Sequence, residues 1–257
     1  MTEVLVVAGP AAAGEYVADI LARAIQTDPE TVLGLATGST PLPIYAALAE
    51  RVRTEGIDVS SVSGFALDEY VGIDPAHEQS YHHVIDAEVT QTLGLNPERV
   101  HVPSGNPDTL ESAGAAYEEA IRAAGGVGWQ ILGIGANGHI GFNEPGSPID
   151  SLTRQVPLTE QTRQDNARFF DSIDDVPRHA ITQGVGTILR AGHLFLLAFG
   201  EHKADAVARA INGPVSPEIP ASAIQQHPNV TVLLDAAAAS GLDAAEYTVV
   251  TGTPAGV

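Results

Sequence analysis

The amino-acid sequence predicts an α/β fold: a doubly wound, mainly parallel sheet with helices on both faces (Rossmann-like), in a single domain over residues 1–257. Short apolar runs alternate with segments of helical periodicity along the chain, which is the pattern of parallel strands joined by helical crossovers. We find no linker, internal repeat or low-complexity block. The length of 257 residues is compatible with one large domain.

Each predicted strand is a short apolar run bounded by glycine, proline or polar residues. Strands are expected at residues 4–8, 31–36, 62–67, 100–102, 129–134, 193–199 and 230–234. Helices, in which apolar residues recur three and four positions apart, are expected at residues 11–25, 41–55, 80–93, 108–124, 178–189 and 201–211. Ser39 or Thr40 would cap the second helix, because Pro41 fits a first helical turn. Ser80 and Asp108 would cap the next two.

The segment 147–176 differs from the rest, because it has many polar residues and few long apolar runs. We expect it to form a lid or an insertion. Residues 215–226 should hold a proline-rich turn and a short helix, and residues 236–239 a turn or a helix start.

The composition excludes several classes of protein. Hydrophobic residues make up 44% of the chain and charged residues 17%, so a large core is expected. The absence of cysteine rules out a disulfide framework, a thiolate nucleophile and a cysteine-based metal site. The N-terminus MTEVLVVAGP lacks the basic region of a signal peptide, and no apolar segment approaches the roughly 18 residues of a membrane span. These features predict a cytoplasmic protein.

The charge of the chain is strongly negative, formally −20. A nucleic-acid or anionic-membrane partner is therefore not expected. Of the 12 basic residues only Lys203 is a lysine. This suggests that an ammonium group is needed at that position, although chance in a biased composition would explain it equally.

The richest stretch is ILGIGANGHIGFNEPG at residues 131–146. It begins as a buried strand and breaks into glycines, which let a backbone turn sharply and approach a ligand. His139 and Glu144 stand five residues apart on this loop, flanked by Asn137 and Asn143. An imidazole and a carboxylate at that spacing can act as an acid–base pair. The alternative is a glycine-rich turn with a satisfied histidine.

Three other strand or helix ends carry polar residues that should meet the loop at one edge of the sheet. The turn Thr37-Gly38-Ser39-Thr40 precedes a helix, where backbone N–H groups and hydroxyls bind anions, although such residues are often only caps. Asp68 and Glu69 follow a strand, which favours a general base or merely a pair of helix-cap or solvated acids. Lys203 would lie in the first turn of a helix, where a bound anion would offset its charge.

Arg168, before Phe169 and Phe170, is a further candidate for binding an anion. The adjacent His82 and His83 would point to different faces of a helix, and no HxH or HExxH set appears, so a metal is not expected. A GxSxG elbow is also missing. The residues themselves thus lead to a site for a sugar or metabolite phosphate, with an aspartate base and a His/Glu pair.

The same residues resemble the glucosamine-6-phosphate deaminase (glucosamine-6-phosphate isomerase) family. The resemblance lies in LGLATGSTPLPIY at 33–45, LDEYVGI at 67–73, the stretch at 131–146, NARFFD at 166–171 and GEHKA at 200–204. It implies conversion of D-glucosamine 6-phosphate and water to D-fructose 6-phosphate and ammonia, with no metal or organic cofactor. The implied partner is a small sugar phosphate, and a homo-oligomer is possible.

By this resemblance, Asp68 moves a proton between C2 and C1 of the substrate. His139 opens the sugar ring, tuned by Glu144. The phosphate is held by residues of three segments: Gly38, Ser39, Thr40, Arg168 and Lys203.

Two departures from the family pattern matter. Asn137 stands where some members have an aspartate, so it can orient His139 but not stabilise an imidazolium by charge. Some members are hexamers activated by N-acetylglucosamine 6-phosphate through basic residues after the catalytic loop. Here Arg154 remains, but Val156 and Pro157 replace polar residues, so we expect this activation to be weak or absent.

Two alternatives remain open at this point. The related 6-phosphogluconolactonases share the fold but typically carry a DGH loop with a different tail, which gives no reason for GHIGFNEPG. A non-catalytic sugar-phosphate sensor would be expected to lose the base, and here Asp68, His139 and Glu144 are all present.

Overall fold

A computed structural model describes residues 2–250, without the side chains of Asp165 and Glu246, so that Met1 and residues 251–257 of the predicted domain lie outside it. The strands in chain order are β1 (Thr2–Val6), β2 (Val32–Leu35), β3 (Ser63–Ala66), β4 (Asp68–Tyr70), β5 (Val100–His101), β6 (Trp129–Gly133), β7 (Arg154–Pro157), β8 (His179–Thr182), β9 (His193–Ala198), β10 (Val230–Leu234) and β11 (Thr248–Val249). The helices are α1 (Pro10–Thr27), α2 (Leu42–Glu55), α3 (Tyr81–Ile85), α4 (Gln91–Leu93), α5 (Leu110–Ala123), α6 (Glu160–Asn166), α7 (Val185–Ile188) and α8 (Ala204–Asn212).

The main sheet confirms the predicted fold class. Over residues 2–250 it has eight strands in the order β11-β1-β10-β9-β6-β2-β3-β5, and every neighbouring pair is parallel. The central strands are apolar along their whole length, as in β2, where all four residues are buried. Strands buried on both faces read as continuous apolar runs, which is why the sequence reveals them.

The long helices bury one apolar stripe each. In α1 the buried residues include Ala13, Val17, Leu21 and Ile25, spaced four apart. This helix packs against α2. Phe65 and Phe195, on β3 and β9, are fully buried between the sheet and its covering helices.

A second, smaller sheet was not expected. Strands β4, β8 and β7 pair antiparallel in that order and share an apolar cluster that includes Tyr70, Phe142 and Val156. The prediction of a helix at residues 178–189 is therefore wrong in its first half, which is β8. Short apolar runs cannot be assigned by periodicity alone, and Ile181 and Thr182 are β-branched residues that favour a strand.

Other predictions are confirmed or corrected in detail. The segment 147–176 is more regular than expected, since it contains β7 and α6. The helix predicted at 80–93 is interrupted by a π-helical turn at Asp86–Thr90, and Ser80 caps its start as predicted. Thr109 rather than Asp108 stands at the N-cap of α5. Residues 236–240 form a turn.

Candidate active site

The site is built around the point where the chain changes direction across the main sheet. β2 and β6 are neighbours, but the chain continues from β2 to β3 on one side and from β6 to β9 on the other. The loops after β2 and β6 therefore leave a crevice at the carboxyl ends of the strands, where α/β sheets bind their ligands. The ends of β9, β6, β2 and β3 lie side by side at this edge, as the sequence predicted.

Asp68 lies where the chain leaves the main sheet and enters the smaller one. β3 ends at Ala66, and β4 begins at Asp68, whose backbone pairs with Thr182 of β8. The carbonyl of Ala66 accepts hydrogen bonds from the Tyr117 hydroxyl (2.7 Å) and the Gln183 amide (3.0 Å). These bonds from α5 and from the end of β8 hold the strand end that carries Asp68.

The Asp68 carboxyl group is buried, with the residue only 6% exposed. Burial, and after it the negative charge of Glu69, raise the pKa of Asp68 to about 8 against the opposing effect of the Phe142 backbone N–H. The loop after β6 comes close to this carboxyl group at Gly141, which has φ +53°. A Cβ there would lie 2.9 Å from Thr182 Oγ1 and 3.3 Å from Asp68 Oδ2, so this approach requires glycine.

Glu69 has a different role from its neighbour. Its Oε1 accepts from the backbone N–H groups of Tyr70 (2.7 Å) and Tyr81 (3.0 Å). Its Oε2 accepts from the Ser80 hydroxyl (2.7 Å) and the His82 backbone N–H (2.9 Å). Because adjacent residues of a strand point to opposite faces, Asp68 and Glu69 do not act as a pair. Glu69 caps the N-terminus of α3.

His139 and Glu144 are brought together on the loop after β6. Nδ1 of His139 lies 3.6 Å from Oε2 of Glu144, which is longer than a hydrogen bond but close enough for attraction to a protonated ring. Asn137 donates from its amide to the same oxygen (2.7 Å) and accepts from the His139 backbone N–H (3.2 Å). Asn137 thus orients both partners, and the His139 ring lies against Gly135, where a Cβ would clash with it.

The Glu144 carboxylate is strongly favoured in its ionised form. Burial acts to raise its pKa, but the contact with His139 and the hydrogen bonds from Thr162 and Asn137 outweigh burial and lower the pKa to about 2. The Thr162 hydroxyl donates to Oε1, and that of Thr159 lies 3.3 Å from the same oxygen. The pKa values of the two carboxyl groups of the site, those of Asp68 and Glu144, are thus shifted in opposite directions.

The turn at residues 37–40 follows β2 and is anchored from two sides. Tyr45 of α2 accepts from the Ala36 N–H (3.0 Å) and donates to the Ala36 carbonyl (2.8 Å). The Tyr81 hydroxyl, on α3, is hydrogen-bonded to the Thr37 side chain and lies 3.4 Å from the Tyr70 hydroxyl.

The predicted cap of α2 is wrong. Pro41 stands at the N-cap, and no side chain caps the helix. The hydroxyls of Ser39 and Thr40 are therefore not used in capping, and Gly38, with φ +84°, and Ser39 are exposed.

Lys203 is joined directly to the loop after β6. Its Nζ donates to the carbonyl of Ile134 at 2.7 Å. Lys203 ends a short 3₁₀ turn and stands at the N-cap of α8. The turn begins at Gly200, whose N–H lies 3.0 Å from both carboxylate oxygens of Asp235. Asp235 follows β10, and the sequence does not link it to Gly200, which lies 35 residues earlier in the chain.

Arg168 is not brought into this cluster by any contact that the structure shows among residues 2–250. It lies in a 3₁₀ turn after α6, is exposed, and stacks over the neighbouring Phe169 ring with 4.6 Å to the centroid. The next residue, Phe170, packs edge-on against Tyr70 (5.8 Å between centroids). This contact joins the segment to the smaller sheet.

Asn143 is a further residue whose role the sequence left unassigned. It is fully buried, and its amide donates to the carbonyls of Ile140 (3.0 Å) and Gln183 (2.7 Å). Its oxygen accepts from Arg154 at 2.9 Å. Asn143 therefore fixes the loop after β6 to the smaller sheet, and Arg154 supports Asn143.

Other kinds of site find little support in residues 2–250. No three His, Asp or Glu side chains there are grouped so that they could hold a metal ion. None of the helices in this range combines the length and apolarity needed to cross a membrane. A cavity of about 540 Å³ lies between residues 71–78 and 169–177, and its lining contains none of the predicted site residues.

Comparison with known proteins places this chain in a family. A family model described as glucosamine-6-phosphate isomerases/6-phosphogluconolactonase matches residues 8–233. Because the match covers most of the chain, the chain belongs to this family, as the resemblance in the sequence predicted.

Within the family, the deaminases are much more similar to this chain than the lactonases. The glucosamine-6-phosphate deaminase of Bifidobacterium longum (strain DJO10A) is 53% identical over 256 residues, covering 96% of this chain and 95% of that protein. The enzyme of the same name from Streptomyces avermitilis is 53% identical over 246 residues, covering 95% and 94%.

Among the solved structures, too, a deaminase is more similar to this chain than a lactonase. A monomeric glucosamine-6-phosphate deaminase superposes with a TM-score of 0.90 at 42% identity, covering 93% of this chain and all of that chain. The 6-phosphogluconolactonase of Leishmania guyanensis reaches a TM-score of 0.73 at 19% identity, covering 95% of this chain, and shows a likeness of fold alone.

Proposed function

We propose that this protein is an enzyme that converts D-glucosamine 6-phosphate and water to D-fructose 6-phosphate and ammonia. The observation that carries the proposal is the buried Asp68 carboxyl, packed against the loop that holds His139 and Glu144. The relatives that share about half of the sequence bear the name of this activity. The turn at 38–40 and Lys203 lie at the same edge of the sheet.

Asp68 serves as the base that moves a proton between C2 and C1. General bases work best when their pKa is close to the working pH, and the pKa of Asp68 is raised to about 8. The C2 ammonium of the bound substrate adds a positive charge near the carboxyl, which lowers this pKa and favours the ionised base.

His139 serves as the acid–base group that opens the sugar ring. The ionised Glu144 lies 3.6 Å from Nδ1 of the ring, and Asn137 holds Glu144 in place by its amide. Asn137 acts here as a positioning residue, since an uncharged amide cannot itself compensate an imidazolium.

The substrate phosphate is bound by the turn at residues 38–40 and by Lys203, with Arg168 completing the set. The free hydroxyls and exposed backbone of the turn suit an oxyanion. Arg168 is exposed on the segment after α6, so its part in binding requires that segment to move. We therefore propose that residues 147–176 include a lid that closes over the substrate, with Arg168 at its tip.

We also propose a location and a set of partners for the enzyme. Charge and composition suit a cytoplasmic enzyme of amino-sugar breakdown without a nucleic-acid or membrane partner. A homo-oligomer remains a hypothesis, and light scattering during size-exclusion chromatography tests it, since a mass near 26.6 kDa contradicts it.

An assay of ammonia release tests the function. Purified protein is incubated with glucosamine 6-phosphate, galactosamine 6-phosphate and 6-phosphogluconolactone in parallel, and both ammonia and fructose 6-phosphate are measured. We expect equimolar products from glucosamine 6-phosphate. Well-folded protein that releases no ammonia but hydrolyses the lactone would be a lactonase, and protein that binds the sugar phosphate without turnover would be a sensor.

A further inference from the structure

The Glu144 carboxylate is held by two separate parts of the chain. Oε2 contacts its own loop, through the Asn137 amide and the His139 ring. Oε1 accepts from the Thr162 hydroxyl, in α6 and 18 residues away in sequence. Thr162 is only 6% exposed. The two oxygens of one carboxylate thus connect the catalytic loop to α6.

The hydroxyl of Thr162 is held in place by the helix start. Thr159 is the N-cap of α6, and its hydroxyl accepts from the Thr162 backbone N–H (3.1 Å). The two hydroxyl oxygens lie 3.0 Å apart. A side chain that is buried and fixed in this way donates to Glu144 without losing much rotamer entropy, because the helix has already ordered it.

The residue after Thr162 connects the same helix to the far end of the segment. Arg163 is only 5% exposed, an unusual burial for arginine. Its guanidinium donates to the carbonyl of Ile173 at 2.7 Å and to that of Val176 at 3.4 Å. Residues 160–176 are therefore braced internally by Arg163 and attached to the catalytic loop by Thr162.

We propose that Thr162 is a positioning residue for catalysis, which holds Glu144 toward His139 and makes the attachment of α6 a condition for an active site. This inference rests on the proposed function and adds a residue to it. Thr162 does not touch the substrate in this proposal, because its hydroxyl is used on Oε1 of Glu144. Thr162 then joins segment 160–176 to the acid–base pair.

A purely structural role for Thr162 makes a different prediction. Removing a structural hydrogen bond lowers the free energy of unfolding and leaves kcat of the folded enzyme unchanged, whereas loosening Glu144 beside His139 lowers kcat. Removing a donor from Glu144 raises the pKa of that carboxyl, because the Thr162 hydroxyl is one of the groups that lower it. The titratable group that faces Glu144 from its own loop is His139, and the contacts from α6, Thr159 and Thr162, are uncharged.

The test compares two substitutions at one position in the full-length enzyme. Thr162→Val keeps the shape and removes the hydroxyl, and Thr162→Ser keeps the hydroxyl. We expect Thr162→Val to lower kcat for ammonia release about tenfold, since a hydrogen bond to a charged group is lost, with KM changed less than about twofold. Thr162→Ser keeps the donor to Oε1 of Glu144 and should restore kcat.

Thr54→Val is the matched control. Thr54 lies near the end of α2 and donates to the Glu50 carbonyl at 2.7 Å, roughly 18 Å along the helix from its start beside the site. It should leave kcat unchanged. If Thr162→Val does not fold, as judged by its thermal melt, Thr162→Ala replaces it in the same comparison.

The outcomes separate this inference from the proposed function. An active parent whose kcat is unchanged in folded Thr162→Val overturns the positioning role alone. A parent without ammonia release overturns the proposed function. A loss of kcat with Thr162→Ser as large as with Thr162→Val also overturns the inference, because the hydroxyl would then not matter.

Discussion

Asp68 and Glu144 carry the same functional group, and their surroundings shift its pKa in opposite directions. Asp68 is buried beside the negative Glu69 and its pKa rises to about 8, whereas Glu144 is surrounded by donors and its pKa falls to about 2. Two carboxyl groups whose pKa values are well separated can serve one for proton transfer and the other for charge stabilisation.

The substitution Asp68→Asn should lower kcat about a thousandfold, because the base that moves the C2 proton is lost. It should also reduce the loss of folding stability that accompanies a rise in pH. The folded pKa of Asp68 is raised above that of the unfolded chain, so this group destabilises the parent progressively as pH rises from about 4 to about 8. Thermal melts at pH 5 and pH 8 with the ammonia assay check both expectations.

Asp108→Asn serves as its control, since Asp108 is exposed on the loop before α5 and should change neither activity nor the pH dependence of melting. A melting temperature of Asp68→Asn that falls from pH 5 to pH 8 as steeply as in the parent would contradict the buried-carboxyl account.

At the scale of elements, two short pieces of backbone position the site. Glu69 fastens β4 to the start of α3 through three hydrogen bonds. The loop after β6 reaches Asp68 only because Gly141 has no side chain. Neither element is long, so specific polar contacts rather than helix or strand propensity hold them.

Glu69→Gln should have two separable effects. The new amide would place a donor against the N–H and hydroxyl groups that now donate to Glu69. We therefore expect the free energy of unfolding to fall by about 3 kcal/mol. Removing the negative charge also lowers the pKa of Asp68, and the acid limb of kcat/KM should move to lower pH. The exposed Glu98→Gln removes the same charge away from the site and should leave the limb in place. An unchanged limb in folded Glu69→Gln counts against the assigned charge effect.

Gly141→Ala should impair the enzyme more than a matched glycine elsewhere. Positive φ alone costs about 1–2 kcal/mol in Gly141→Ala and in Gly56→Ala, since Gly56 at the end of α2 has φ +65° and open space beside it. Only Gly141→Ala displaces the loop against Asp68, so its kcat should fall about a hundredfold. Equal kcat values in the two variants would show that the close approach is unimportant.

At the scale of the whole molecule, charge is the dominant feature. The chain has 32 acidic and 12 basic residues, and several of its arginines form surface pairs such as Arg53 with Glu50. Such pairs stabilise little in water, so repulsion among the remaining acids acts on the folded state.

Adding salt should therefore stabilise the protein. The melting temperature at pH 7 should rise between about 0.02 M and 0.5 M sodium chloride, because screening shortens the range of the repulsion. An equal osmolality of glycerol controls for general solvent effects. A melting temperature that falls with added salt would mean that attractive ion pairs outweigh the net repulsion.

The kinetics of the whole enzyme should be simple. Arg154 is used within the fold to hold Asn143, and Val156 is buried in the smaller sheet. Fewer basic and polar groups are therefore left to bind an effector. We expect hyperbolic dependence of rate on glucosamine 6-phosphate, unaltered by N-acetylglucosamine 6-phosphate. A sigmoidal curve that the acetylated sugar makes hyperbolic would refute this expectation.

The sequence by itself determined the alternating strands and helices of the main sheet, because buried strands and amphipathic helices leave their periodicity in the residues. It also singled out Asp68, His139, Glu144 and Lys203 as candidates, since glycine-rich loops and polar strand ends are local features that all lie at one edge of a parallel sheet. The family resemblance came from the same local motifs.

The tertiary structure alone decided the rest. The smaller sheet depends on strands distant in the chain, and short apolar runs such as β8 do not reveal their partners. Thr162 meets Glu144, and Asp235 meets Gly200, across 18 and 35 residues. The opposite pKa shifts of Asp68 and Glu144 follow from burial and donors that only folding brings together, because electrostatic environment is a property of space and not of sequence order.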